Sequence, residues 1–478
     1  MTTSGNPSIP VDKALCEETY DLVRHHQTSS IVSNMLTFPS ARKYVERLLQ
    51  REAPIAAQQC YRQLAVVSGV TQSRGCTAYH VAEELVVAAD MDVILVGPGN
   101  NSKSLLAAAT DITEEFLKRK ARAGSLVPTT EPPKIMCVRM NPNSLRSVSK
   151  AARDISKLAQ KHHQGRVHAL INLDGQVSEQ YVTTEEGVDA NVGRNYLAPR
   201  LLADLLLPLL RAAATDTFKP RLIQQASVGH CRGCHFDPHR LRKLPREGGA
   251  PEGTVVWNEY HWQYAVPSSE EGSTGLDQYY RSKFALMADT VALANEEPML
   301  AAICVDPGVL SYATSPSGNT PSPRRASLSS RFVGLSHSQA ARSALRAALD
   351  PAFNSIDTMQ YLHCDGNAWS MAEPTLENPR TRQAYDMEEY AALVRDVADE
   401  LCGQLVADKG CGWQQPQQSS DEEDVSESSF SESSADSSSS LDSSSAHAYN
   451  EWQCHSFHSS LLQTSLIPVG GGRPYAFQ

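Results

Sequence analysis

The chain has 478 residues, 41% of them apolar and 20% charged, which is enough for a sizeable core in one large domain or two to three average ones. Its net charge of −11 sits largely in a serine- and acid-rich stretch near the end, which argues against a nucleic-acid-binding surface. No apolar run reaches the ~18 residues of a membrane span, the polar residues 1–10 are not a secretory signal, and eleven scattered cysteines predict reduced thiols in a cytoplasmic protein.

The first 60 residues predict a helical extension. Apolar residues recur at helical spacing over 11–25 and 40–51, and Ser40 is placed to cap the second of these helices. Residues 1–60 carry no recognisable chemistry, so we expect them to pack on the main domain or on a partner subunit.

A βαβ unit follows this extension. It consists of a strand, a glycine-bearing turn, a helix and a second strand, at residues 64–67, 68–75, 76–89 and 92–96. Such a unit places a helix N-terminus where a pyrophosphate can bind. The spaced-glycine pattern is incomplete, because Gly69 and Gly75 are present but Ser73 stands where a middle glycine is expected.

Strands and helices continue to alternate along the chain. Further strands are predicted at 135–138, 167–172, 221–225 and 299–305, and further helices at 144–162, 188–213 and from about 276 to 294. This alternation predicts an α/β fold with a doubly wound parallel sheet of the Rossmann type. Gly69, Asn172, Ser227 and Gly308 each follow a predicted strand, so we expect them on one rim of the sheet, where ligands bind.

Tyr279 and Lys283 are four residues apart in a predicted helix, so both side chains lie on one face. An ammonium beside a phenol favours the phenolate and lowers a pKa that starts near ~10. A tyrosine tuned in this way is a general acid or base near neutral pH. The pair alone is weak evidence, since the same spacing occurs by chance in many helices and usually marks a solvated edge.

Three further segments surround this pair. They are residues 186–198, which contain Asn195 and precede a leucine-rich helix, residues 223–230, which contain Ser227, and the dipeptide Pro307-Gly308. Together with Tyr279 and Lys283, they resemble the short-chain dehydrogenase/reductase family, in its retinol-dehydrogenase-like branch. The resemblance covers roughly residues 64–309, with looser similarity to about 402.

The resemblance implies an oxidoreductase that moves a hydride between NAD or NADP and a carbonyl or alcohol substrate. Tyr279 would be the general acid/base, Ser227 would orient the substrate oxygen, and Asn195 would help to hold a water of the proton relay. Lys283 would lower the pKa of the tyrosine and hold the nicotinamide ribose. The cofactor-binding positions implied are Ser68, Gly69, Ser73, Arg74, Gly75, Asn172, Gly175, Lys283, Pro307 and Gly308.

The cofactor side departs from the family pattern. Ser73 replaces a glycine, and Asp174 places an acid near the cofactor, which is unfavourable if it is ionised close to phosphate. No positive charge follows the second strand, so Arg74 would have to serve a 2′-phosphate. Asn141 stands where an aspartate near the adenine is usual. An alternative function therefore stays open: a catalytically silent member that senses a nucleotide or binds a partner and is regulated by phosphorylation.

The predicted Rossmann domain spans 61–408 and carries two inserted loops, 230–277 and 311–335. Cysteines and histidines in the first loop, Cys231, Cys234, His235 and His239, have metal-ligand types but form a single Cys-x-x-Cys pair, so we predict no metal site. Ser327 in the second loop follows two arginines and matches a basophilic kinase site. Residues 409–478 are predicted to be a disordered tail with acidophilic kinase sites. The implied partners are a small-molecule substrate and protein kinases, and a homodimer through the helices of Asn195 and Tyr279 is left open.

Overall fold

The structure is a computed structural model. It describes residues 40–51, 62–71, 73–98, 102–122, 131–178, 181–227, 229–230, 236–243, 255–259, 275–308, 310, 335–364, 368–369 and 387–407. The predictions for residues 11–25, for the cysteines at 231 and 234, for Ser327 and for the tail at 409–478 lie outside these residues.

Ten strands are described. They span Leu64–Ser68 (β1), Asp92–Gly97 (β2), Ile135–Arg139 (β3), Ala169–Asn172 (β4), Arg221–Gln225 (β5), Phe236–Lys243 (β6), Val255–Glu259 (β7), Ala301–Val305 (β8), Gln360–Leu362 (β9) and Ala368–Trp369 (β10). Eight form one sheet in the order β3-β2-β1-β4-β5-β8-β9-β10. Seven of these eight are parallel, and β10 pairs antiparallel with β9 at the edge. The predicted doubly wound parallel sheet is confirmed.

Helices cover both faces of this sheet. They span Ala41–Arg51 (α1), Thr77–Val87 (α2), Ser102–Arg122 (α3), Leu145–His163 (α4), Ala190–Val192 (α5), Ala198–Arg211 (α6), Gly275–Glu296 (α7), His337–Ala340 (α8), Arg342–Leu349 (α9) and Met387–Ala407 (α10). One core lies between the sheet and α4, α6, α7 and α10. The other lies between the sheet and α1, α2, α3 and α9. Alternate residues of β1 enter the two cores, as the two-residue period of a strand requires.

The structure differs from the sequence-based predictions in three places. The long helix predicted over 188–213 is interrupted by a π-helical turn at Gly193–Leu197, which contains Asn195. The insertion at 230–277 is not only a loop, because β6 and β7 pair antiparallel within it. The helix α3 was not predicted, although the segment after β2 is amphipathic.

The rim predicted for ligand binding exists. β1 and β4 are neighbours in the sheet, and the chain leaves them in opposite directions, β1 toward β2 and β4 toward β5. Their carboxyl ends therefore flank the crevice in which doubly wound sheets bind ligands. Gly69 brings the two ends close together: its φ is +90°, and an added Cβ would lie 2.7 Å from the carbonyl carbon of Leu173.

Candidate active site

Ser227 and Tyr279 come together although 52 positions separate them. Ser227 is the second residue after β5, Tyr279 lies in the first turns of α7, and their hydroxyls are hydrogen-bonded. The serine oxygen also accepts the backbone N–H of Gly229 at 3.1 Å. An added Cβ at Gly229 would lie 2.8 Å from the Tyr280 ring, so the absence of a side chain there lets α7 approach the end of β5.

Lys283 lies one helical turn after Tyr279 and is almost fully buried, with 1% of its surface exposed. Gln225 is the last residue of β5, and the Lys283 ammonium donates to its backbone carbonyl at 2.7 Å. The Nζ atom lies 6.0 Å from the centre of the Tyr279 ring. The serine, the tyrosine and the lysine predicted from the sequence therefore meet at one strand end.

The pKa of Tyr279 lies above its ordinary value, not below it as the sequence predicts. Burial raises the pKa of Tyr279 to about 12, and the hydrogen bond from Ser227 only partly offsets this. Burial also lowers the pKa of Lys283 to about 8, against the charge of Asp174. The Lys283 ammonium is bonded to the carbonyl of Gln225, and burial desolvates both the lysine and the tyrosine. In this state the phenol is neutral at pH 7.

Asn195 is buried in the π-helical turn, and its amide is committed to the backbone. Its Oδ1 accepts the N–H of Gln176 and its Nδ2 donates to the carbonyl of the same residue, both at 2.7 Å. Asn191, one turn earlier, makes the same paired bonds with Ser178, at 3.0 and 3.2 Å. The two asparagines therefore fasten the segment after β4 to the helix. Sequence reasoning missed Asn191, although the four-residue spacing of two asparagines was a usable signal.

Asn172 and Ser68 connect three strands beneath the crevice. The Ser68 hydroxyl donates to Asn172 Oδ1 at 3.2 Å, and Asn172 Nδ2 donates to Gln224 Oε1 at 3.1 Å. Ser68 and Asn172 are 1% exposed. These two predicted cofactor positions therefore hold β1, β4 and β5 in register, and their side chains are already occupied.

The departures in the glycine turn have partners on α3. Ser73, in the place of the middle glycine, donates its hydroxyl to Asp111. The Arg74 guanidinium lies 3.9 Å from the same carboxylate and is also hydrogen-bonded to Tyr79. Arg74 adopts a positive φ of 56°, and its side chain is 61% exposed. Gly75 completes the turn before α2.

Asp174 and Arg194 form an ion pair beside the crevice. Arg194 Nε lies 2.7 Å from Asp174 Oδ1, and Arg194 Nη1 donates to Gln176 Oε1 at 2.7 Å. The unfavourable acid expected from the sequence is therefore neutralised by the residue next to Asn195. Asn141 is also occupied, since its Nδ2 donates to Glu185 at 3.1 Å.

Gly175 and Gly308 border the crevice on its open side. Gly175 is exposed, and an added Cβ would lie 3.5 Å from Lys283 Nζ. Gly308 follows Pro307 with a φ of +76°, and its N–H donates to Asp306 at 2.9 Å. An added Cβ at Gly308 would lie 2.8 Å from Cys364 Cβ, so this turn can only be closed by a glycine.

The helix α10 packs on α6 and α7, which follow or contain the residues of the homodimer interface that the sequence left open. Arg200 of α6 bonds Asp289 of α7 at 3.0 Å and Asp399 of α10 at 2.6 Å. Arg395 of α10 also bonds Asp289, at 3.2 Å. A homodimer through this side of α6 and α7 would have to displace α10. Among the described helices, none combines the length and apolar character needed to cross a bilayer.

The fold and the site define a doubly wound α/β protein with a serine, a tyrosine and a lysine gathered at the carboxyl ends of its parallel strands. Three curated relatives are similar to parts of this chain. Oxidoreductase calI from Penicillium decumbens is 32% identical over 119 residues, 25% of this chain and 33% of the relative. Mouse retinol dehydrogenase 13 is 33% identical over 105 residues, 22% of this chain and 28% of the relative. Mouse polyprenol dehydrogenase is 36% identical over 90 residues, 19% of this chain and 25% of the relative.

The matches thus span a third or less of the length of these relatives. No family model matches the chain. The strand order is that of a doubly wound parallel sheet, and the matched segments are similar to an oxidoreductase and two dehydrogenases. These similarities support the resemblance to the short-chain dehydrogenase/reductase family that the sequence shows.

Proposed function

We propose that this protein is an NAD(P)-dependent oxidoreductase that interconverts a carbonyl and an alcohol, with Tyr279 as the general acid/base. The observation that carries the proposal is the hydrogen bond between Tyr279 and Ser227, with the Lys283 ammonium 6.0 Å from the tyrosine ring. Two hydroxyls that share a hydrogen bond can both reach one substrate oxygen. The names of the three relatives, an oxidoreductase and two dehydrogenases, support the same class of reaction.

The residues at the crevice fit a nicotinamide nucleotide on the lysine side. Gly175 has no side chain, and an added Cβ there would lie 3.5 Å from Lys283 Nζ. The phosphates would lie at the turn from Gly69 to Gly75, before α2, whose N-cap Cys76 makes no side-chain hydrogen bond to the helix. Arg74 is exposed at this turn and supplies a positive charge for phosphate.

A neutral phenol favours the reductive direction at pH 7. Bound nicotinamide cofactor would supply or accept the hydride. Tyr279, whose pKa burial raises to about 12, would donate its proton to the carbonyl oxygen as negative charge develops there. Ser227 would donate a hydrogen bond to the same oxygen and orient it. Lys283, with its pKa lowered to about 8, would bring a positive charge beside the developing alkoxide.

The substrate class follows from the relatives only as a proposal. Two of them are named for retinol and polyprenol, which are lipophilic isoprenoid alcohols. We therefore propose a lipophilic alcohol or its aldehyde, and retinal and a short prenyl aldehyde are the first substrates to test.

Cofactor binding is the first test. The full chain is titrated with NADH and with NADPH, and its melting temperature is followed, since a ligand that binds only the folded state raises it. A rise with either cofactor is expected. If neither cofactor at millimolar concentration changes the melting temperature, the oxidoreductase proposal fails and the silent, partner-binding alternative is favoured.

Turnover is the second test. Tyr279→Phe keeps the ring but removes the proton, so the reduction rate should fall by about 10²–10⁴-fold while cofactor affinity stays within about threefold. Tyr280→Phe is the matched control, because its ring lies 5.7 Å from that of Tyr279 and the same atom is removed. Equal losses in the two variants would contradict the role given to Tyr279.

A further inference from the structure

Asp174 lies at the switch point between β1 and β4. It is the second residue after β4, and an added Cβ at Gly69 would lie 2.8 Å from its backbone nitrogen. This place is beside the crevice in which doubly wound sheets hold their ligands. A polar atom that the side chain leaves unpaired there is therefore close to the ligand-binding rim.

The carboxylate of Asp174 is half satisfied. The residue is 6% exposed, and its Oδ1 accepts the Arg194 Nε at 2.7 Å. Its Oδ2 is buried and has no donor among the residues that the structure describes. A buried acceptor without a donor costs free energy, and nearly all such groups in native proteins have a partner. A bound ligand would supply the donor that the described residues do not.

The neighbouring groups indicate where that donor comes from. Gly175 follows Asp174 directly, and an added Cβ there would lie 3.5 Å from Lys283 Nζ and 3.3 Å from Gln225 Nε2. Asp174 and Lys283 are thus both close to Gly175. Burial lowers the pKa of Lys283, and the negative charge of Asp174 opposes this. An acceptor oxygen and an ammonium close to one exposed glycine match the hydroxyl groups of a sugar.

We propose that Asp174 Oδ2 accepts a hydrogen bond from a hydroxyl of the nicotinamide-side ribose and, with Lys283, fixes the position of that sugar. This inference rests on the proposed function. Arg194 makes the arrangement tolerable beside phosphates, because it neutralises the carboxylate at 2.7 Å. Arg194 is itself held by Gln176, whose backbone is bonded to Asn195, so the carboxylate is fixed before the cofactor arrives.

The test separates the two halves of the cofactor. Calorimetry on the full chain measures the affinity for NADPH and for adenosine 2′,5′-bisphosphate, and likewise for NADH and for ADP. Both fragments lack the nicotinamide-side ribose. Asp174→Ala should weaken the two complete cofactors by about tenfold and change the two fragments by less than about threefold. The double variant Asp174→Ala with Arg194→Ala leaves no arginine unpaired. Its affinity for the complete cofactors should also fall by about tenfold, while its affinity for the fragments should change little.

Asp189→Asn is the matched control. Asp189 is also fully buried with an Oδ2 that lacks a donor among the described residues, but it caps α5 and does not neighbour Gly175 in the chain. It should bind the complete cofactors like the unaltered protein. The inference would be overturned if the Asp174→Ala protein bound NADPH as tightly as the unaltered protein does. It would also be overturned if the substitution weakened cofactor and fragment equally, or if Asp189→Asn caused the same loss. A protein that binds neither cofactor before any substitution would overturn the proposed function instead.

Discussion

Lys283 should lower the free energy of unfolding at neutral pH, and the Lys283→Met variant makes this effect measurable. The residue is 1% exposed, and burial lowers its pKa from the usual 10.5 to about 8. Between these two values the unfolded chain binds more protons than the folded one, so the free energy of unfolding rises with pH there. The lysine therefore costs most below pH 8 and least above pH 10.5.

The magnitude follows from the two pKa values. Each pH unit between them corresponds to ~1.4 kcal/mol, so the free energy of unfolding should gain ~3 kcal/mol between pH 7 and 10.5 from this group. Lys283→Met removes that gain. It also leaves the carbonyl of Gln225 without its donor, which costs ~1–3 kcal/mol at every pH. The change with pH is therefore the informative quantity, and the difference at a single pH is not.

Urea unfolding of the two proteins at several pH values from 7 to 10.5 measures this change. The free energy of unfolding of the unaltered protein, minus that of the Lys283→Met variant, should rise by ~3 kcal/mol across the window. Lys219→Met is the control for loss of the bond, since its ammonium also donates to a backbone carbonyl at 2.7 Å, that of Ile356, but its side chain stays 13% exposed. A difference that does not change with pH would refute the argument that Lys283 is charged and desolvated in the fold.

Two further substitutions test the frame of the site. Gly69→Ala should cost at least ~2 kcal/mol of unfolding free energy, because the residue has a φ of +90° and the new Cβ would lie 2.7 Å from the Leu173 backbone, and chemical denaturation measures this cost. Asp189 is buried with its pKa raised to about 6, so its contribution to stability is complete below about pH 3.8 and is lost as the pH rises through 6. Relative to Asp189→Asn, the unaltered protein should therefore lose ~2–3 kcal/mol of unfolding free energy between pH 4 and 8, and equal pH profiles of the two melting temperatures would contradict this.

Six of the eight strands of the sheet could be predicted because each has a strong local signal; β9 and β10, of three and two residues, were not predicted. Apolar runs of four to seven residues set between helical segments located six parallel strands to within two residues at each end. The helix α3 had a signal that went unused: Leu105, Ala108, Ile112 and Phe116 recur at helical spacing and are all buried. The pairing of β6 with β7 was harder to predict, because the long insertion contains prolines and glycines that favour loops.

The four residues of the candidate site could be predicted, but their partners could not. Spacing places Tyr279 and Lys283 on one helix face, and the strand ends bring Ser227 to the same rim. The partners of Ser73, Asp174 and Asn195 are different, since each lies on an element whose position depends on the packing of the whole domain. Asp111 reaches Ser73 from α3, and Arg194 reaches Asp174 from the π-helical turn. Apparent defects in the cofactor turn are thus compensated at a distance.

The electrostatics of the site shows why spacing alone gave the wrong sign for the tyrosine. A lysine one turn away lowers a phenol's pKa only if its charge acts on the phenol more strongly than burial does. In this fold the ammonium donates to the Gln225 carbonyl, and burial raises the pKa of Tyr279 to about 12. A phenol that keeps its proton at pH 7 is poised to give it to a carbonyl oxygen, whereas oxidation of an alcohol would first require that proton to leave. If Tyr279 is the general acid/base proposed above, oxidation should gain in rate relative to reduction as the pH rises.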